Sequence, residues 1–124
     1  MTAIGAIWEA LKLDANGLIP AVAQQHSTGE ILMLAWMNRD AIEATLASGQ
    51  VTYWSRERKQ LWRKGATSGH VQRLVELRLD CDGDALVVLV DQTGPACHTN
   101  RRSCFFRVVK TDGGLTVQLP VEGA

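Results

Sequence analysis

Three cysteines and one histidine carry the clearest chemical signal in this sequence. Cys97 and Cys104 flank a polar stretch without any apolar residue, so a folded-back loop can bring both thiols to one ion. An odd number of cysteines cannot all form disulfides within one chain. Three thiolates with an open fourth position are typical of a catalytic zinc site, whereas structural sites are usually closed by four ligands. We therefore predict that Cys81, Cys97 and Cys104 bind a zinc ion that activates water.

The fourth zinc position has two interpretations. His98 could close the site, but a residue adjacent to Cys97 reaches the same tetrahedral ion awkwardly. We favour water in that position, with His98 beside it as the proton-transfer group. Two simpler alternatives stay open at this point. The cysteines could be buried without a metal, and His98 could be an ordinary loop residue.

A run of alternating acidic residues surrounds the first cysteine. Side chains point to alternate faces along a strand, so Asp80 and Asp82 should share a face while Cys81 points the opposite way. Asp84 follows Gly83 and can turn toward the aspartate side. Because carboxylate clusters prefer Mg²⁺ or a similar hard cation, we predict a magnesium site at Asp80, Asp82 and Asp84. The alternative is a solvated turn, since Asp-Gly is a common hairpin dipeptide.

Residues 55–70 combine cations, aromatic rings, hydroxyl groups and glycines. Arginine offers phosphate a forked pair of donors and lysine a point charge, while glycines let backbone N–H groups approach an anion. A tryptophan could stack on a base. The alternative is a solvated loop whose tryptophan lies in the core. Together with a basic pair further along, the candidate substrate-binding and phosphate-binding residues are Arg56, Arg58, Trp62, Lys64, Thr67, Ser68, His70, Arg101 and Arg102.

A mainly β fold is expected to position these groups. Asn38 is a suitable helix cap, and Asp82-Gly83 is a hairpin signal. In chain order we predict a helix over 2–13, a hairpin of strands 18–25 and 31–37, a helix over 38–47, a β-prone run over 50–55, a short strand near 61–63, strands over 71–82 and 85–92, and a terminal hairpin of 104–111 with 115–119. This order predicts one small α+β domain over residues 1–124.

Composition and charge argue against several classes of protein. With 46% hydrophobic and 21% charged residues, the chain of 124 residues is expected to be soluble. Its longest apolar run, 31–37, is far shorter than the ~20 residues that cross a membrane, and it lacks a signal-peptide pattern. We therefore expect a cytoplasmic protein without a membrane partner. Residues 55–78 carry seven basic and two acidic side chains in a chain of zero net charge, which indicates one anionic site and argues against nucleic-acid binding.

Four motifs follow one another along the chain. They are Ser55-Arg56-x-Arg58, Leu61-Trp62-x-Lys64-Gly65-x-Thr67-Ser68-Gly69, Asp80-Cys81-Asp82-x-Asp84, and Gly94-Pro95-Ala96-Cys97-His98-Thr99 followed by Ser103-Cys104-Phe105. In this order they resemble the phosphoribosyl-AMP cyclohydrolase family of histidine biosynthesis, from about residue 17 to residue 106. Two departures are small: Asn100 replaces the usual glycine, and Glu57 a small residue. Asparagine tolerates the left-handed conformation, so Asn100 need not disturb its loop.

The resemblance implies an assembly as well as a fold. It implies an intertwined homodimer with the active site at the subunit interface. One zinc ion per subunit would be held by the three cysteines and shared between two chains, and Mg²⁺ would be held by the three aspartates. Some relatives carry a fused phosphoribosyl-ATP pyrophosphohydrolase domain. We expect this chain to be the stand-alone form, with that activity supplied by another protein.

The reaction implied by the resemblance opens the adenine ring of phosphoribosyl-AMP by hydrolysis of its N1–C6 bond, the third step of L-histidine biosynthesis. The phosphoribosyl group on N1 makes C6 electron-poor, and a zinc-activated water can attack that carbon. His98 would transfer protons at the breaking bond. The basic residues and Mg²⁺ would anchor the two phosphates.

Two other functions share some of these features. A zinc-dependent purine or pyrimidine deaminase would use similar water chemistry, but its H-x-E and P-C-x-x-C signatures are absent from the sequence. A zinc-stabilised nucleic-acid module would need four closed ligands and a broad basic face. The three cysteines and the zero net charge argue against that module.

Overall fold

The structure, a computed structural model, describes residues 3–118 and residue 121. Within these residues the elements are α1 (Ala3–Ala10), β1 (Ile19–Gln25), β2 (Ile31–Met37), α2 (Arg39–Ser48), β3 (Thr52–Ser55), β4 (Gln60–Arg63), β5 (Gln72–Leu79), β6 (Leu86–Gln92), β7 (Arg107–Val109) and β8 (Leu115–Val117). The described chain is therefore mainly β with two helices, which confirms the α+β class expected from the sequence.

Six of the strands form one sheet in the order β4-β3-β2-β1-β6-β5. The predicted hairpins β1–β2 and β5–β6 are both antiparallel, whereas β1 and β6 pair in parallel in the middle of the sheet. Strands β7 and β8 form a separate two-stranded sheet. Because β1 and β6 are parallel, the C-terminal end of β1 lies beside the C-terminal end of β6, and residues distant in sequence meet there.

Alternating burial along β1 shows how the sheet makes its core. Ile19, Ala21, Ala23 and Gln25 are buried, while the residues between them are partly exposed. Helix α2 packs on the buried face, and its Ala41 lies in the core. The helix begins as predicted, because the side chain of Asn38 accepts a hydrogen bond from the Ala41 N–H at 2.8 Å. It ends at Gly49, which adopts the left-handed conformation with φ 75°.

Several element boundaries differ from the predictions, and β3 begins at Thr52 rather than residue 50. The first helix ends at Ala10 rather than Leu13, since the Lys12 N–H donates to the Gly83 carbonyl at 2.7 Å and draws the chain away from the helix. The fifth strand ends at Leu79 rather than residue 82. The last hairpin comprises Arg107–Val109 and Leu115–Val117 rather than residues 104–111 and 115–119, of which residue 119 lies outside the described residues. The bond between Lys12 and Gly83 joins residues far apart in sequence, so local patterns do not specify where α1 ends.

The two ends of the sheet carry the chemically interesting residues. We call the turn of residues 80–84, which joins β5 to β6 beside the Leu79–Leu86 pair, the aspartate end. We call the segment 93–104, which follows β6 beside the Gln72–Gln92 pair, the cysteine end. Strand β6 separates them and has seven residues, so the two ends lie roughly 20 Å apart at about 3.3 Å per residue.

Both described helices are short, with eight and ten residues, and no helix in this part of the chain has the length and apolar character needed to cross a membrane.

Candidate active site

The three aspartates lie together in the turn at the aspartate end. One carboxylate oxygen from each of Asp80, Asp82 and Asp84 lies within 4.8 Å of the others, and all three side chains are exposed. The grouping comes from the turn rather than from strand alternation, because β5 has already ended at Leu79. Asp80 organises this turn, since its Oδ1 accepts hydrogen bonds from the Asp84 N–H at 2.9 Å and the Ala85 N–H at 3.3 Å.

The pKa values of these carboxyl groups reflect their crowding. Desolvation acts to raise the pKa of Asp80, but several hydrogen bonds, first the one from the backbone N–H of Asp84, together hold that pKa below its ordinary value. The hydrogen bond with Asp80, and then its charge, raises the pKa of Asp84. Three carboxylates held this close repel one another. A hard divalent cation would relieve that repulsion, so the oxygen donor set fits Mg²⁺.

A groove of 540 Å³ opens beside the aspartates. Asp82 and Asp84 line one side of it, Leu18 and Pro20 give it an apolar wall, and Trp36 is also part of its lining. Trp36 also lines a second groove of 620 Å³, together with residues of β3 and β4. The sequence did not indicate Trp36 as a site residue, because it falls in the apolar run 31–37 and is expected there to be a core residue. Its partly exposed position in a strand becomes visible only in the fold.

The cysteine end is a compact loop held by backbone hydrogen bonds. The N–H of Ala96 donates to the carbonyl of Arg102 at 3.0 Å, and the N–H of Cys97 donates to that of Arg101 at 3.1 Å. Asn100 lies at the tip with φ 63°, which confirms that this asparagine adopts the left-handed conformation. The loop therefore folds back on itself as expected from its polar sequence.

The returning half of the loop is fastened to β2. The N–H of Cys104 donates to the Leu32 carbonyl at 2.7 Å, and the Ser103 hydroxyl donates to the Ile31 carbonyl at 2.7 Å. These bonds also explain why no strand starts at residue 104. They leave Cys104 exposed at the edge of a groove of 400 Å³ that is lined by Phe105, Arg107, Val109 and Leu115.

The thiols of Cys97 and Cys104 interact with each other. Burial acts to raise the pKa of Cys97, but hydrogen bonds from Thr99, whose hydroxyl lies 3.0 Å from Sγ, and then the Cys104 thiol bring that pKa below its ordinary value. Desolvation, and then the charge of Cys97, raises the pKa of Cys104 to about 11. Two neighbouring thiols, one with a lowered and one with a raised pKa, form a soft donor pair that fits zinc.

Cys81 does not join this pair within one chain. It lies exposed in the turn at the aspartate end, while Cys97 and Cys104 lie at the opposite end of the sheet. Across the described residues, the only group of three or more metal-type side chains that comes together is the aspartate group. One folded chain therefore does not bring its three thiols together, because β6 holds the two ends apart. A shared site between chains, as the resemblance implies, remains a prediction.

His98 is exposed on the loop next to the buried Cys97. Cys97, its neighbour in sequence, is fixed by a backbone hydrogen bond to Arg101, so His98 is an exposed residue of a fixed loop. Its role in proton transfer stays a prediction.

The basic segment does not form one continuous loop. Its first part is the β3–β4 hairpin, where the Arg56 guanidinium stacks 4.5 Å from the centroid of the Trp36 ring and Arg58 is exposed. Trp62 packs against Tyr53 with ring centroids 5.0 Å apart, so it belongs to the edge of the core. The insertion of a strand at residues 60–63 divides the predicted anion-binding residues into two groups.

The second group faces the cysteine end. The Lys64 Nζ donates to the Ala96 carbonyl at 2.6 Å. Burial lowers the pKa of Lys64, although the two thiols oppose that shift. The ring of His70 lies against Gly94, where an added Cβ would meet its Cδ2 at 2.8 Å. Lys64 therefore lies beside the thiols and His70 beside Gly94 at the start of the cysteine end, which the sequence positions did not indicate.

The remaining candidates differ in their surroundings. Thr67 and Ser68 are exposed, and the Ser68 hydroxyl accepts a hydrogen bond from the His70 N–H at 3.2 Å. Arg101 stacks 4.1 Å from the centroid of the Phe106 ring. Arg102 directs its guanidinium into the chain, toward carbonyl and carboxylate groups, which leaves few of its donors for a phosphate.

Comparisons with known proteins give one consistent match. The family model described as phosphoribosyl-AMP cyclohydrolase matches residues 33–106. The chain is 65% identical over 117 residues to phosphoribosyl-AMP cyclohydrolase of Rhodospirillum centenum, covering 94% of this chain and 87% of that protein. It is 62% identical over 111 residues to the protein of that name from Paracoccus denitrificans, covering 90% and 92%. It is 61% identical over 115 residues to phosphoribosyl-AMP cyclohydrolase 2 of Pseudomonas fluorescens, covering 93% and 78%.

Proposed function

The chain belongs to the phosphoribosyl-AMP cyclohydrolase family, and we propose that it hydrolyses the N1–C6 bond of phosphoribosyl-AMP with the help of zinc and Mg²⁺, as a cytoplasmic enzyme of histidine biosynthesis. The observation that carries this proposal is the pairing of the Cys97 and Cys104 thiols within one fold-back loop, with Cys104 at the edge of an open groove. Such a pair fits a catalytic zinc site that still needs a third protein ligand.

We propose that the third ligand is Cys81 of a second copy of the chain. In a two-fold dimer, the aspartate end of one chain can meet the cysteine end of its partner, and the same contact then occurs twice. Exposed apolar residues support such an assembly: Val109 is 71% exposed, Val117 60% and Phe105 58%. A lone two-stranded sheet such as β7–β8 also gains little stability without a covering surface.

The proposed mechanism assigns distinct tasks to the two ends. Zinc held by the cysteines would supply a Lewis acid that lowers the pKa of water. Hydrolysis would place the oxygen of water on C6, which becomes a carboxamide carbon as the N1–C6 bond breaks; one hydrogen of water would go to the exocyclic nitrogen on C6 and the other, as a proton, to N1. His98, exposed beside Cys97, would hold and deliver that proton. Lys64, beside the same thiols, and His70, against Gly94, would keep the substrate in place.

Phosphate binding is assigned to charged groups in the two grooves that Trp36 lines. Mg²⁺ at Asp80, Asp82 and Asp84 would face a phosphate across the groove that these aspartates share with Trp36. Arg56, stacked on Trp36, would offer a forked pair of donors from the neighbouring groove. A metal ion held by the aspartates and the Arg56 guanidinium would then lie on either side of Trp36, an arrangement that would suit a purine with a phosphate on either side.

A turnover assay with phosphoribosyl-AMP, with and without a zinc chelator, tests this function. We expect chelation to abolish turnover and added zinc to restore it. The variant Cys104→Ser should lose both the metal and the activity, because one of the two paired thiols is removed. Full turnover by zinc-free Cys104→Ser would refute the proposed use of zinc.

The magnesium assignment has its own test. Asp82→Asn should raise the Mg²⁺ concentration needed for half-maximal turnover, while the zinc content stays near one per chain. Asp40→Asn, which changes an exposed aspartate in the first turn of α2, is the matched control and should leave both quantities unchanged. Equal loss of zinc in Asp82→Asn would show that the aspartates do not form a separate metal site.

A further inference from the structure

The guanidinium of Arg102 lies inside a ring of acceptors at the cysteine end. Its Nη1 donates to the carbonyl of Gly94 at 2.9 Å and to that of Gln92 at 3.2 Å. Its Nη2 donates to Oε1 of Gln25 at 3.0 Å, and its Nε pairs with Glu30 at 3.4 Å. The side chains of this ion pair are only 26% and 33% exposed. Four acceptors from different segments therefore converge on one side chain.

These acceptors belong to three parts of the fold. Gln25 ends β1, Gln92 ends β6, and Glu30 lies in the turn between β1 and β2. The oxygen Oε1 of Gln25 also accepts the Gln92 N–H at 2.9 Å, so the two strand ends are joined independently of Arg102. Gly94 lies at the start of the cysteine end. Arg102, near the other end of the same segment, therefore connects the cysteine end to the joined ends of β1 and β6.

The position of Arg102 in the loop gives the contact its importance. The carbonyl of Arg102 accepts the Ala96 N–H at 3.0 Å, and the next pair of the loop joins Arg101 to Cys97. Cys104 follows Arg102 by two residues. A side chain that immobilises residue 102 therefore limits the movement of both thiols at once.

We propose that Arg102 is a positioning residue that holds Cys97 and Cys104 in a metal-ready arrangement before zinc binds. The inference rests on the proposed zinc function and replaces the expectation that Arg102 grips a phosphate. Residues that orient metal ligands without touching the metal commonly contribute about 10-fold to 100-fold in metal affinity. The guanidinium suits this task because its planar fork can serve carbonyls on two sides at once, whereas an ammonium group is a single point of charge.

The test compares Arg102→Met and Arg102→Lys with Arg39→Met. Arg39 also forms an ion pair with a glutamate, at 3.2 Å, but it lies on α2 and is exposed, so it is a matched control. Zinc affinity is measured by competition with a chelating dye, and Co²⁺ binding by its thiolate absorption band. We expect zinc affinity about 10-fold to 100-fold lower in Arg102→Met, an intermediate value in Arg102→Lys, and the wild-type value in Arg39→Met.

Hydrogen exchange on the metal-free protein gives a second readout. The Cys97 N–H, which is bonded within the loop, should exchange faster in Arg102→Met than in wild type. A folded Arg102→Met with wild-type zinc affinity and wild-type exchange would overturn the proposal. Should Arg102→Met fail to fold, Arg102→Lys decides, because wild-type affinity in that variant would also overturn it. If wild type itself binds no zinc, the proposed function fails, while exchange at Cys97 still tests whether Arg102 holds the loop.

Discussion

Mixing two inactive variants tests whether the zinc site is shared between chains. Cys97 and Cys104 contact each other within one chain, whereas Cys81 lies roughly 20 Å away across the length of β6. If the site is shared, each zinc ion takes Cys81 from one chain and Cys97 and Cys104 from the other, so Cys81→Ser and Cys97→Ser remove ligands that different chains supply to one site. Each variant alone should be inactive, because every site in its homodimer lacks one thiol.

The expected recovery follows from the number of intact sites. In a mixed dimer, one site lacks both thiols, and the other combines the intact Cys81 of one chain with the intact Cys97 and Cys104 of its partner. Random pairing of equal amounts makes about half of all dimers mixed, and each of these holds one intact site of two. Activity and zinc content should both return to about a quarter of the wild-type value per chain.

The assay is turnover of phosphoribosyl-AMP together with zinc analysis, after co-expression or joint refolding of the two variants. The matched control mixes Cys97→Ser with Cys104→Ser. Those two cysteines come from the same chain in every site, so this mixture should stay inactive. Absence of recovery in the first mixture, with mixed dimers shown to be present, would refute the shared site. Recovery in the control mixture would refute the pairing of Cys97 with Cys104.

Two further predictions concern stability. Tyr53 is fully buried, and its hydroxyl donates to Oε1 of Gln72 at 2.7 Å. Tyr53→Phe should therefore lower the free energy of unfolding by about 1–3 kcal/mol, which thermal unfolding should show as a fall in Tm of about 4 °C per kcal/mol. An unchanged Tm would show that this hydrogen bond does not stabilise the fold. Hydrogen bonds from Gln25 and then Arg73 hold the pKa of Asp91 below its ordinary value, so Asp91 stabilises the fold above the unfolded pKa of about 3.9. We expect the difference in unfolding free energy between wild type and Asp91→Asn, measured by urea unfolding, to be constant above about pH 5 and to shrink as the pH falls below about 4. A difference that does not change with pH would show that these hydrogen bonds do not favour the ionised carboxylate.

Local patterns were sufficient for most of the fold. The apolar runs and turn residues that bound β1 and β2 predicted the first hairpin, and Asn38 predicted the start of α2. These features depend on neighbours in sequence, because alternation and capping are local properties. The parallel pairing of β1 with β6 could not be obtained in this way, since no nearby turn specifies it.

The candidate site, like the fold, was predicted from the sequence only in part. Residue type and spacing indicated soft and hard metal ligands, and the four motifs indicated the family. Residue spacing could not show that Trp36 borders the aspartate groove or that Arg102 turns inward, because both depend on which strands become neighbours.

The chemical inventory was already specified by the order of the amino acids: three thiols, three clustered carboxylates, a histidine in the cysteine loop and a local excess of cations. Which of these side chains lie close together depended on the tertiary structure. The fold brought Cys97 and Cys104 together and placed Cys81 at the other end of the sheet. The physical reason is the rigidity of a paired strand: β6 is hydrogen-bonded on both edges, to β1 and to β5, and it keeps its two ends apart, so one chain cannot bring its three thiols to one ion.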